Sequence, residues 1–127
     1  NVRPKPKARP NKTQYFVRGS MYEYACQPVR VIDGDSIVLD IDLGLHITVR
    51  ESCRLWGIDA PEVRGEERPQ GLESKQFLEW LIDGNDKFIC HTHRDKQGKY
   101  GRYLVDLWMI TPLKDEICVN IVMVEEG

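Results

Sequence analysis

The stretch Arg54-Leu55-Trp56-Gly57-Ile58-Asp59-Ala60-Pro61-Glu62 puts one guanidinium and two carboxylates within nine residues, at the end of an apolar run. Asp35, in Asp33-Gly34-Asp35-Ser36, and Arg102, closing the charged segment Arg94 to Arg102, are further candidates. If the fold brings them to one rim, the inventory is three carboxylates and two guanidiniums. Carboxylate oxygens suit a hard divalent cation such as calcium or magnesium. The planar fork of arginine suits a phosphate, to which it donates two parallel hydrogen bonds. Together they fit phosphodiester hydrolysis: a metal polarises the phosphoryl oxygen, a carboxylate takes a proton from water, and guanidiniums stabilise the added negative charge. No serine or cysteine nucleophile is required. Taken singly, each piece has a plainer reading, a solvated strand end with a chance ion pair or an Asp-Gly hairpin turn.

Composition bounds these options. A chain of 127 residues, 41% hydrophobic, is expected to form one domain with one core. No apolar run reaches membrane-spanning length and no signal peptide is expected, so the chain reads as soluble. Cys26, Cys53, Cys90 and Cys118 are widely spaced in apolar settings and read as buried free thiols, favouring an intracellular location. The net charge of −2 hides an asymmetry: residues 1–20 carry six basic residues and no acid, leaving 12 basic against 20 acidic residues, a net of −8, in the rest. An acidic body does not attract polyanions by general electrostatics, so a nucleic-acid partner would need a local basic site or a metal. The basic segment also holds Pro4, Pro6 and Pro10 and reads as a disordered arm or a remnant of cloning, with the folded domain spanning 21–127.

The elements that must position the candidates follow from periodicity. Tyr22 to Ile32 reads as a strand with a bulge or edge at Pro28, and Asp33-Gly34-Asp35 as a tight turn. Ser36 to Ile41 is the next strand, and Asp42-Leu43-Gly44 the next turn. Alternation from His46 to Ile58 predicts a half-buried strand with Ile47, Val49, Cys53 and Leu55 on one face and Arg54 on the other. Ser74, Phe77, Leu78 and Leu81 form a helical stripe, and Gly84 stands at its C-terminal cap. Lys87 to Thr92 and Tyr103 to Ile110 read as strands. His91 and His93 share a face and could ligate zinc, but two ligands are half a structural site, so they read as ordinary strand histidines. Val119 to Gly127 mixes strand propensity with Asn120 as N-cap and Gly127 as C-terminal cap of a short helix. The order predicts an α+β fold: a five-stranded Greek-key OB-fold barrel, one helix between strands 3 and 4 and a short C-terminal helix.

Val31-Ile32-Asp33-Gly34-Asp35-Ser36, Arg54 through Glu62, Asp95 with Lys99-Tyr100-Gly101-Arg102, and Val119-Asn120 through Glu126-Gly127, in that order and spacing, resemble the staphylococcal nuclease (thermonuclease) family. The resemblance runs from about residue 22 to the end. It implies a nuclease that hydrolyses DNA and RNA with one calcium ion and leaves 3′-phosphate ends, on single-stranded or locally melted substrate, as a monomer away from membranes. It implies Asp35, Asp59 and the carbonyl of Ala60 as calcium ligands; the staphylococcal enzyme has threonine where Ala60 stands, a change that a backbone ligand survives. Glu62 would activate the water, Arg54 and Arg102 would grip the scissile phosphate, and Lys99 and Tyr100 would contact the terminal phosphate. Asp33 and Ser36 would support the metal loop. The alternative is an inactive OB-fold module that binds nucleic acid or protein, against which the intact Arg54, Glu62 and Arg102 argue.

Overall fold

The computed structural model describes residues 22–58, 60, 65–97 and 102–126. Six strands and two helices run in the order β1 (Glu23–Asp33), β2 (Ser36–Gly44), β3 (Ile47–Leu55), α1 (Arg68–Ile82), β4 (Lys87–Gln97), β5 (Tyr103–Ile110), β6 (Glu116–Cys118) and α2 (Val119–Glu126), with a single 3₁₀ turn, Gly65–Glu67, before α1. The sheet order is β3-β2-β1-β4-β5-β6, and a parallel β3–β5 pairing closes the first five strands into a mixed barrel. This is the α+β OB-fold architecture expected from the element order. The short β6, which pairs with β5, was not foreseen. The basic arm, residues 1–20, lies outside the described residues.

Closure gives each strand one face to bury. Ile37, Leu39, Ile41, Cys53, Leu55, Cys90, Val105, Leu107 and Met109 fill the interior, and α1 closes it with Leu78 and Leu81. Gly84, at φ 82°, ends the helix in the left-handed conformation that costs glycine least. Pro28 is accommodated as the pattern suggests: the β1–β2 register shifts between Pro28 and Arg30, a bulge in the part of β1 that pairs with β2 alone. Arg50 and Asp40 face each other across β2 and β3 and make two parallel hydrogen bonds of 2.7 and 3.0 Å, which hold Asp40 below the usual carboxylate range. All four cysteines are free and buried, and burial pushes the Cys53 and Cys118 thiols up to about 12.

Three local expectations need correction. The turn after β2 is at Leu45-His46 rather than Asp42-Leu43-Gly44, with Gly44, Leu45 and His46 all at positive φ. Leu45, 90% exposed, takes a conformation that costs a side chain roughly 1–2 kcal/mol, so propensity pointed to the wrong residues. β4 also runs on to Gln97, beyond the expected end at Thr92, and consumes half of the apparent loop. Finally, Asn120 lies inside α2 and does not cap it.

Asn120 instead sews β3 to β5. Fully buried, its amide accepts the Leu107 N–H at 2.8 Å and donates to the carbonyls of Trp56 and Val105 at 2.9 and 3.0 Å. Val105 C=O keeps a second partner in the Trp56 N–H, but the Leu107 N–H and the Trp56 C=O each lose a bond if the amide is removed. An unpaired buried group costs about 1–3 kcal/mol, so Asn120→Ala is expected to lower unfolding stability by about 2–5 kcal/mol. Urea denaturation checks this; a loss below about 1 kcal/mol, the net worth of one ordinary hydrogen bond, would show that the two groups find other partners.

Candidate active site

The site begins at the β1–β2 turn. Asp33 pairs with Ser36, so Gly34 and Asp35 are the two turn residues. Neither has the positive φ that an Asp-Gly hairpin turn of the primed type requires. A register shift between Val31 and Asp33 supplies local twist instead. Gly34 is required for a different reason, close approach. A Cβ there would overlap Ser74 Oγ on α1, lie 2.8 Å from Ser74 Cβ and meet the Ala60 Cβ at 3.1 Å. The turn is therefore wedged between the helix and the segment after β3.

That wedge aims Asp35 inward. Its side chain is only 10% exposed, and desolvating a carboxylate costs several kcal/mol. Ser36 Oγ donates to Oδ1 at 2.9 Å, the Ala60 N–H donates to Oδ2 at 3.1 Å, and Arg54 Nε stands 3.6 Å from Oδ2. Hydrogen bonds to a charged group contribute about 1.5–3 kcal/mol each, so these contacts offset the burial. Arg54 reaches this position because it pairs with Ser36 across β2 and β3, and Nη2 donates to Ile58 C=O at 3.0 Å. Arg102 arrives from the start of β5 and donates from Nη1 to Ser36 Oγ at 2.5 Å. Ser36, fully buried, thus links the carboxylate to the second guanidinium.

Of the residues singled out in the sequence, Asp35, Ser36, Arg54, Ala60 and Arg102 come together at one end of the barrel, with Asp33 at the base of the turn. Ala60 meets Asp35 through its N–H; its carbonyl is the atom expected to bind a cation. Asp59, Glu62, Lys99 and Tyr100 lie outside the described residues. One contributor was not anticipated: Ser74, against which the turn packs. A serine on the polar edge of a helical stripe carries no signal of that role.

The family model for staphylococcal nuclease homologues matches residues 52–127. The chain belongs to the staphylococcal nuclease family. Among curated members, it is 32% identical over 119 residues to the thermonuclease of Staphylococcus intermedius, an alignment covering 91% of this chain and 62% of that protein. It is 29% identical over 90 residues to the thermonuclease of Staphylococcus hyicus, covering 68% of this chain and 50% of the relative. The matched chain thus spans about three fifths of the first relative and half of the second. None of its described helices is long and apolar enough to cross a membrane.

The geometry makes Gly34 a test of how tightly the site is held. Gly34→Ala must push the turn off Ser74 and carry Asp35 with it. Overpacking costs about 1–3 kcal/mol, whereas a misplacement near 1 Å can cost on the order of 100-fold in rate. The rate of the reaction that this site carries is expected to fall by about 100-fold in protein that is still folded, and Ser74→Gly in the same chain should restore most of it. An unrescued loss would place the defect elsewhere.

Proposed function

We propose that this chain is a calcium-dependent nuclease that hydrolyses phosphodiester bonds of single-stranded or locally melted DNA and RNA by attack of water, leaves 3′-phosphate ends and acts as a monomer. The observation that carries this reading is the convergence of Asp35, Ser36, Arg54 and Arg102, from three separate stretches of chain, on one end of the barrel. Thermonuclease is also the name of both curated relatives.

The donor chemistry fits the ion. Asp35 offers carboxylate oxygens, with Asp59 and the Ala60 carbonyl as the remaining protein ligands, an all-oxygen set suited to calcium and unsuited to zinc. Bound there, the ion would polarise a phosphoryl oxygen. Glu62 accepts the proton of the attacking water. Arg54 and Arg102 neutralise charge as the phosphorus becomes five-coordinate; the contacts of Arg54 with Asp35 and Ile58 and of Arg102 with Ser36 orient both forks in advance. Lys99 and Tyr100 hold the terminal phosphate, while Asp33 and Ser36 support the turn.

Cleavage of single-stranded DNA with calcium, and then with a chelator, tests the reading. Cutting that needs calcium and yields 3′-phosphate ends is expected. No metal-dependent cutting at high enzyme concentration would leave the alternative, an inactive OB-fold module.

A further inference from the structure

The barrel interior takes Cys90, Val105 and Leu107, so the residues alternating with them, His91, His93 and Asp106, lie on the opposite face of β4 and β5. Register places His91 opposite Asp106. Asp106 Oδ2 lies 3.1 Å from His91 Nδ1, and Oδ1 lies 2.8 Å from His93 Nε2. Asp106 is completely buried, while the histidine side chains are 20% and 15% exposed. This cluster takes no part in the chemistry assigned to Asp35, Arg54 and Arg102.

We infer that His91, His93 and Asp106 form a site for one first-row transition-metal ion of the zinc class. Two imidazole nitrogens and one carboxylate oxygen are the donor set of many such centres, and imidazole disfavours calcium. All three ligand atoms lie within 4.8 Å of one another. Bonds of about 2.0–2.1 Å in a tetrahedron separate ligand atoms by about 3.3 Å, close to the 3.1 and 2.8 Å between the carboxylate oxygens and the two ring nitrogens. Each ring then carries its proton on the outward nitrogen, Nε2 of His91 and Nδ1 of His93. The rings are already oriented: His93 stacks on Trp56, and the His91 and His93 centroids are 5.2 Å apart. A cation also compensates the charge of the fully buried Asp106 carboxylate. Partial exposure of the two histidines gives an ion a side from which to approach the cluster.

Titration of the purified chain with Co²⁺ in excess calcium tests this. One equivalent should bind, giving the visible absorption of cobalt with nitrogen and oxygen ligands, and Zn²⁺ should displace it. Changes to groups that merely support metal ligands cost 10- to 100-fold in affinity, so Asp106→Asn and His93→Gln, each with an unchanged circular dichroism spectrum, should weaken binding by at least about 100-fold. Asp35→Asn should bind like the unsubstituted chain. Failure of the unsubstituted chain to bind cobalt or zinc, thiolate-to-cobalt charge-transfer bands, or loss of the signal as calcium rises would each overturn the site. The spectrum of the unsubstituted chain decides even if a variant does not fold.

Discussion

With calcium saturating, Glu62→Gln should cut single-stranded DNA about 10²- to 10⁴-fold more slowly than the unsubstituted chain, the usual worth of a positioned proton acceptor. Glutamine keeps the shape and hydrogen-bonding reach of glutamate and loses only the ability to take the proton of water. Binding of a nonreactive nucleotide should therefore barely change. The calcium condition matters because Glu62 lies three residues after Asp59 and its replacement could disturb the ion. Full recovery on raising calcium would make Glu62 a metal-site residue and remove it as the base.

Arg102→Lys should lower turnover by about 10²- to 10³-fold, the scale for losing one preorganised donor to a developing oxyanion. Arg102 gives one N–H to Ser36 Oγ, which itself donates to Asp35, and the planar fork keeps the other donors in a fixed direction. Lysine retains the charge but cannot hold Ser36 and present two parallel donors to a phosphate. The loss should thus fall on kcat, with a smaller rise in KM, because the fork fits the five-coordinate phosphorus better than the ground state. A change confined to KM would assign Arg102 to substrate binding alone.

The parts of this molecule that could be read in advance are those carried by local pattern. The alternation that buries Cys53 and Leu55 and the stripe that buries Leu78 and Leu81 are statements about neighbours in the chain, and the structure bears them out. Convergence of Asp35, Arg54 and Arg102 could be supposed from the sequence, but it depends on pairings between distant strands. Asp106 shows where pattern runs out. A carboxylate within Tyr103 to Ile110 is visible as an interruption in an apolar run, yet its partners are His91 and His93 on another strand, and a two-histidine motif does not reveal its third member. Asn120 was misread for a similar reason: asparagine near a helix start suggests a cap, whereas burial gave the amide three backbone groups to satisfy. The Asp-Gly turn was placed correctly for an incorrect reason, because the constraint on Gly34 comes from Ser74, which no local rule brings near it.

The seam that closes the barrel has a consequence for how the protein acquires and loses activity. Three residue pairs, Cys53 with Tyr103, Arg54 with Leu104 and Leu55 with Val105, join β3 to β5, and the β1–β2 and β2–β3 hairpins need none of them. Pairings that close long stretches of chain pay their loop entropy before any contact repays it, so this seam should form late in folding and rank among the first to open. Arg54 lies in the seam and Arg102 immediately before it. Under the proposed nuclease activity, cleavage acts as an internal gauge of closure: mild denaturant should extinguish it while most of the hairpin signal persists, and amide exchange at Trp56, whose N–H bonds across to Val105, should track the loss of activity.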